Sequence, residues 1–162
     1  MAERGGDLAW RSYGALTDDG YILRMFRIVG TRNKKKRAAN FQQEKGPLLL
    51  IHGFSSDSIT WMAQSDTEAL TIGSQLFEEG YDVWFANMRG SRRSRQHISE
   101  DPDDCDDDYW EFDLTDMADY DIKAMIDRIR SEEDANCKKV SIVAHSLGTQ
   151  NTITALSRAN HA

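Results

Sequence analysis

The segment from Val140 to Gly148, read Val-Ser-Ile-Val-Ala-His-Ser-Leu-Gly, constrains this chain more than any other. A run of β-forming residues ends in a small-x-Ser-x-Gly turn and gives way to a helix-compatible stretch. This is the sequence form of a nucleophile elbow, a strained strand-to-helix turn that lifts a serine hydroxyl above a parallel sheet. A serine held at unfavourable backbone angles needs small neighbours two positions to either side. Ala144 and Gly148 supply them. The elbow at 144–148 makes Ser146 the candidate nucleophile. Taken alone, the pattern also fits an ordinary strand–turn–helix junction with a capping serine.

A second constellation favours the catalytic reading. Pro47-Leu-Leu-Leu-Ile51 has the continuous apolar character of a buried parallel strand, and it runs directly into His52-Gly53-Phe54-Ser55-Ser56. Elbow-bearing folds take one oxyanion-hole N–H from a loop after an early strand and the other from the residue following the nucleophile. The candidate donors are therefore the backbone N–H groups of Phe54 and Leu147. His52, Gly53, Ala144, His145 and Gly148 form the supporting turns, with His52 expected to brace its loop.

The elements around these motifs alternate as in an α/β protein. A β-hairpin is expected over 12–30, with β runs at Tyr13–Leu16 and Tyr21–Val29 around the turn signal Thr17-Asp18-Asp19-Gly20. Strand–helix repeats then fill 46–158. Ala69, Ile72, Gly73, Leu76 and Phe77 form one face of a helix over Thr67–Glu79, closed by Gly80. Tyr81–Ala86 is the next strand. Leu114, Met117, Ala118, Ile122, Met125, Ile126 and Ile129 mark a helix over about 113–131. The elbow strand and a helix to about Arg158 complete the order.

Several pieces of the chain, in order, resemble the acid lipases, the group of gastric lipase, lysosomal acid lipase and the steryl ester hydrolases. They are Asp19-Gly-Tyr-Ile-Leu23, Ile51-His-Gly-Phe54 with Ser56-Asp-Ser58, and Gly80-Tyr-Asp-Val-Trp84. Asn87-Met-Arg-Gly90, Ser94-Arg95, Asp116-Met-Ala118 with Tyr120-Asp121, and His145-Ser-Leu-Gly-Thr149 continue the series. The resemblance covers roughly Tyr13 to Ile153. It implies an α/β-hydrolase fold: an antiparallel hairpin leading into a mostly parallel sheet with helices on both faces. It further implies hydrolysis of carboxylic esters of neutral lipids, triacylglycerol or steryl ester, through Ser146, with Phe54 and Leu147 as oxyanion donors and no metal or organic cofactor. Ala144 departs from the glycine usual at the elbow but is small. Leu147 replaces a glutamine common there, although that role uses only the backbone.

A serine hydroxyl is a poor nucleophile until a histidine takes its proton and a carboxylate orients that histidine. In this fold the order is Ser, then Asp or Glu, then His. Beyond Ser146 the sequence offers no acid and one histidine, His161, about a helix length away. His145 adjoins the nucleophile and diverges from it; His97 is expected to be solvated in a polar loop. The chain therefore reads as one incomplete domain over 1–162, the N-terminal part of the fold truncated after the nucleophile helix. Two other readings remain: a non-catalytic subunit or scaffold derived from the same fold, and a different esterase or acyltransferase. A partner or a missing C-terminal half would cover the truncated sheet.

Composition narrows the partners. The 162 residues carry a net charge of −7, which argues against nucleic-acid binding. No apolar stretch is long enough for a transmembrane segment, which leaves interfacial lipid contact as the membrane option. Met1 to Asp7 lacks the apolar core of a signal peptide, although the resembled family is often secreted or lysosomal. Cys105 and Cys137 suit neither a disulfide framework nor a metal site. The acidic run Asp101–Asp108 lacks the alternating ligands of a calcium loop and reads as solvated. Lys34–Arg37 reads as an exposed loop, and Trp61, Trp84 and Trp110 as packing residues. Arg92, Arg93 and Arg95 read as surface charges or ion-pair partners of the acidic run.

Overall fold

The computed structural model describes residues 8–31, 44–62, 71–106, 108–132 and 139–159. Its centre is β3 (Pro47–Ile51), buried at every position. On one side β3 pairs in parallel with β4 (Asp82–Phe85), Leu49 opposite Trp84; on the other it pairs in parallel with β6 (Ser141–Ala144), Leu49 opposite Ile142. The hairpin of β1 (Leu8–Leu16) and β2 (Tyr21–Thr31) joins through β2, antiparallel to β4. The order is β1-β2-β4-β3-β6, with the short β5 (Gln96–His97) pairing against β2. The hairpin begins at Leu8, earlier than its apolar pattern indicates, because the ladder continues through a register shift between Ala9 and Trp10.

Period-two alternation sorts the core into two layers. Leu49 and Ile51 face one side with Leu23, Met25, Trp84, Met117, Ile122, Met125 and Ile129. Leu48 and Leu50 face the other with Ile28, Trp61, Met62, Phe77, Val83 and Phe85. Helix α1 (Ile72–Glu78) covers the second face through Phe77. Helix α2, over 114–130, and helix α3 (Leu147–Ala159) lie on the first. Among the described residues no helix is long and apolar enough to cross a membrane.

Helix α1 differs from the expected face at one position. Thr71 caps it by accepting the Ser74 N–H at 3.1 Å, which starts the helix at Ile72. Gly73, Ser74 and Phe77 then turn inward, while Ile72 is 52% exposed. Residues 63–70, including the expected first turn and Ala69, lie outside the described residues. Helix α2 is interrupted: α-helical Leu114–Asp116 passes through a π-helical turn, Met117–Asp121, into α-helical Ile122–Arg130. Asp113 and Asp116 form a capping box at its start.

Other expectations meet their positions as follows. His97 is not solvated: its side chain is 4% exposed, Nε2 bonds the Asp19 carbonyl at 2.9 Å, and Nδ1 accepts the Glu100 N–H at 3.0 Å. The pairing of Tyr21 with His97 draws that loop onto the hairpin as β5. Arg95 binds Asp103 of the acidic run at 2.6 Å, whereas Arg93 turns to Asp57 at 3.1 Å. Trp61 and Trp84 are buried, while Trp110 is half exposed. Cys105 is exposed. Cys137, Lys34–Arg37 and His161 lie outside the described residues.

At the foot of the sheet, Asp82 is buried with two partners. Arg27 Nε donates to it at 2.7 Å and Trp84 Nε1 at 2.9 Å, and the Arg27 guanidinium lies 5.1 Å from the Trp84 ring centroid. Removing one member of such a buried pair strands the other charge and costs about 3–5 kcal/mol. Asp82→Ala is therefore expected to lower stability by about 3 kcal/mol in urea unfolding. A loss below about 1 kcal/mol would show that the pair contributes no more than a surface bridge.

Candidate active site

The sheet delivers two loops to one place. The strand pairing that sets Ile51 opposite Ala144 continues one step as the His145 N–H donates to the Ile51 carbonyl at 3.0 Å. The chain then reverses. Ser146 has φ 51°, in the left-handed region, and its residue is exposed. Helix α3 begins at once: the Gly148 N–H bonds the His145 carbonyl and the Thr149 N–H the Ser146 carbonyl, each at 3.0 Å. Ala144 packs against the core beneath the turn. A non-glycine residue in this region costs about 1–3 kcal/mol, so the flanking bonds must hold it.

Two glycines permit the approach of the loops. A Cβ on Gly148 would stand 2.6 Å from the His52 carbonyl oxygen and 3.0 Å from that of Ile51. A Cβ on Gly53 would stand 2.8 Å from His145 Nδ1 and 3.1 Å from Ser146 Cβ. The His52–Phe54 loop is thus pressed against the turn, its carbonyls against Gly148 and Gly53 against the side chains of His145 and Ser146. Beyond it Ser55 also adopts a left-handed angle, φ 54°. The N–H groups of Phe54 and Leu147 have no hydrogen-bond acceptor among the described residues.

His52 braces this loop, as its position after β3 suggests. It is 4% exposed, and the Met88 N–H donates to its Nε2 at 3.1 Å. The Nδ1 therefore carries the proton and donates to the Gly53 carbonyl at 2.8 Å. Burial holds the ring below the ordinary histidine pKa, so it stays neutral. With both nitrogens occupied it is no base for Ser146. His145 lies over Gly53, and His97 is engaged at the hairpin. Among the described residues no histidine or carboxylate bonds the Ser146 hydroxyl.

Further polar contacts tie the loop after β3 to the loop after β4. Asp57 caps a 3-10 turn (Ser58–Trp61) through the Ile59 N–H at 2.7 Å and takes Arg93 on its other oxygen. Asn87 accepts the Ser58 N–H at 2.9 Å and donates to the Arg24 carbonyl at 2.8 Å. Between the loops and helix α2 lies an open cavity of about 900 Å³. Its walls are mainly apolar: Phe54, Ile59, Met88, Trp110, Phe112, Leu114, Met117 and Leu147. Phe54, Trp110 and Leu114 are 81%, 49% and 47% exposed and form its mouth.

Below the cavity is a buried charge cluster whose members lie in three of the pieces that carry the resemblance, but to which the sequence alone assigns no role. Arg89 and Asp121 have fully buried side chains joined at 2.7 Å, and Asp19 grips the other end of the guanidinium at 2.6 and 3.0 Å. Asp121 stands among the inward apolar positions of α2, and an acid on an apolar stripe was the available signal. Burial pushes its carboxyl up to about 6, although Arg89 pulls the other way. Among the described residues no group of three His, Cys, Asp or Glu side chains converges as a metal site would require.

Comparisons with known proteins fit this geometry. Residues 46–162 match the family model described as the alpha/beta hydrolase fold, and residues 7–65 match that of a partial alpha/beta-hydrolase lipase region. The gastric triacylglycerol lipase of Bos taurus is 34% identical over 134 residues, 83% of this chain and 31% of the relative. Lipase member K of Homo sapiens is 34% identical over 148 residues, 91% of this chain and 35% of the relative. Triacylglycerol lipase 1 of Arabidopsis thaliana is 33% identical, over 88% and 33%. The chain thus spans about a third of the length of these curated relatives. The Pyrococcus furiosus esterase Pf2001 superposes with a TM-score of 0.61 at 15% identity, covering 94% of this chain and 48% of that one. That likeness concerns the fold alone.

Two outcomes test the geometry. Gly148→Ala would force its Cβ against backbone oxygens that cannot rotate away, so a loss of about 1–3 kcal/mol and displaced His52 and Ser146 resonances are expected. An unperturbed spectrum would contradict the close approach. The second concerns pH. With the folded Asp121 carboxyl near 6 and an unfolded one near 3.8, the folded chain binds a proton more tightly, so this group's stabilisation is complete below about pH 4 and lost as pH rises through 6. Urea unfolding at pH 4 to 7 should show that slope, and Asp121→Asn should flatten it by on the order of 2 kcal/mol. Parallel profiles would place the titration elsewhere.

Proposed function

Because this chain belongs to the α/β-hydrolase family, we propose that it carries the nucleophile half of a lipase-type active site acting on neutral lipid esters. The observation that carries the reading is Ser146: an exposed serine at φ 51°, on the turn between a parallel strand and a helix. The N–H groups of Phe54 and Leu147 beside it, without an acceptor among the described residues, support an oxyanion hole. The apolar cavity opening at Phe54 and Leu147 supports an acyl-chain site. Exposed Phe54, Trp110 and Leu114 at the mouth support contact with a lipid surface.

In the proposed mechanism Ser146 Oγ attacks the ester carbonyl, and its proton passes to a histidine base. The carbonyl oxygen becomes negative and is met by the Phe54 and Leu147 N–H groups. Collapse breaks the ester bond, the histidine returns the proton to the leaving alcohol, and an acyl-serine remains. Water, deprotonated by the same base, releases the acid. The base and its orienting carboxylate lie outside the described residues. We accordingly read 1–162 as one incomplete domain. Among the described residues strand β6 pairs on one side only, with Val143 40% exposed, and Ile153 and Leu156 of α3 are 63% and 51% exposed. This is the face where further chain of the same fold, or a partner, would pack.

A fluorophosphonate probe tests the assignment. With this chain joined to the further chain that supplies the histidine and carboxylate, the expected outcome is a covalent adduct on the peptide containing Ser146 that disappears in Ser146→Ala, together with loss of short-chain esterase activity by about 10⁴-fold or more. Labelling or hydrolysis that survives the substitution unchanged would place the nucleophile elsewhere.

A further inference from the structure

The hydrogen bonds below the cavity form a continuous path to the oxyanion loop. Asp121 holds one residue twice: Oδ1 accepts Arg89 Nε at 2.7 Å and Oδ2 accepts the Arg89 backbone N–H at 3.0 Å. A carboxylate that binds the side chain and backbone of a single residue fixes where that residue's main chain lies. Asp19 locks the guanidinium from the hairpin turn, and the Tyr21 ring centroid lies 4.0 Å from it. One step before Arg89, the Met88 N–H donates to His52 Nε2, and His52 Nδ1 donates to the Gly53 carbonyl. The Gly53 carbonyl and the Phe54 N–H belong to the same planar trans peptide and point in opposite directions. Fixing the carbonyl therefore aims the N–H.

We propose that Asp121 and Arg89 are positioning residues that, through Met88 and His52, set the orientation of the Phe54 N–H at the oxyanion hole. The inference rests on the reading of Ser146 and Phe54 given above. The π-helical turn Met117–Asp121 is what brings the acid to its task. By widening one turn it lets Met117 face the cavity and Asp121 meet Arg89, while Ile122 still enters the core.

Other arrangements would use these groups differently. If the cluster only glued α2 to the sheet, losing Asp121 would lower stability and leave the His52 ring undisturbed. Asp82 provides the control, because it is a buried ion-pair member at the opposite end of β4 with no link to His52.

The experiment compares the whole chain, at pH 7.5, with Asp121→Asn and Asp82→Asn by ¹⁵N-resolved NMR of the Met88 and Phe54 amides and the His52 ring. In Asp121→Asn the Met88 and Phe54 amide signals should move, and the His52 Nδ1 proton should exchange with water at least about tenfold faster as its bond to Gly53 opens more often. Asp82→Asn should leave all three in place. Where the histidine and carboxylate are supplied by further chain, labelling of Ser146 by the fluorophosphonate should slow by about tenfold in Asp121→Asn, less than the 10²–10³ expected when a donor is removed outright. Should Asp121→Asn not fold, Asp19→Asn releases Arg89 from its partly exposed side and gives the same comparison. Unmoved His52 and Phe54 signals in a folded variant would overturn the relay, as would equal movement in Asp82→Asn. Labelling that persists in Ser146→Ala would instead sink the nucleophile reading, while the resonances still decide the relay.

Discussion

The candidate site depends on Gly148 meeting the backbone at the end of β3 with no side chain of its own between them. Gly148 touches the carbonyls of Ile51 and His52, and Gly53 touches His145 and Ser146. That contact is possible only because β3 and β6 are paired neighbours running in the same direction, so that both release their chains at the same edge. The left-handed angle at Ser146 follows from it. A chain that must turn from strand to helix within one residue, under a loop already in contact, has no relaxed path. The bond from the His145 N–H to Ile51 and the first turn of α3 offset the strain.

Around that contact the loops lack the repeating hydrogen bonds of strands and helices, so polar side chains take over. Asp57, Asn87, His52 and Asp121 each satisfy backbone N–H groups that a regular element would have paired internally. Every one joins segments distant in sequence: Asp57 reaches Arg93, Asn87 reaches Ser58, His52 reaches Met88, and Asp121 reaches Arg89. The result is a loop layer as determined as the sheet beneath it. It is made from few groups, and each of them is therefore costly to replace.

What the amino-acid order discloses follows the same division. Strand β3 is written as a continuous apolar run, the turn at Thr17–Gly20 in its turn-forming residues, and the inward face of α2 in helical apolar spacing. The elbow is legible for a different reason: small residues at fixed offsets from a serine are a steric requirement. Ser146 and the His52 loop could thus be found without coordinates. His97 could not, because its burial comes from pairing with Tyr21 across 76 positions of separation, which no local pattern records. Ile72 looked inward by spacing, yet the Thr71 cap set the start of α1 and turned it out. Helical periodicity also assumes a constant 3.6 residues per turn, and the π turn at Met117–Asp121 breaks that assumption where Asp121 becomes important.

Placing charge there, instead of more apolar packing, has a physical rationale. A buried ion pair adds little net stability over a hydrophobic equivalent, since both ions lose their hydration. Its geometry, however, is discriminating. Hydrophobic side chains beneath the cavity would tolerate displacement of the loop by fractions of an ångström, because dispersion contacts vary gently with position. Arg89 held by four hydrogen bonds, two from Asp121 and two from Asp19, and by one aromatic face tolerates very little. An oxyanion donor works only when its N–H lies close to where negative charge develops. A site that must aim a single peptide plane therefore gains more from a rigid, directional support than from a stronger but more forgiving one.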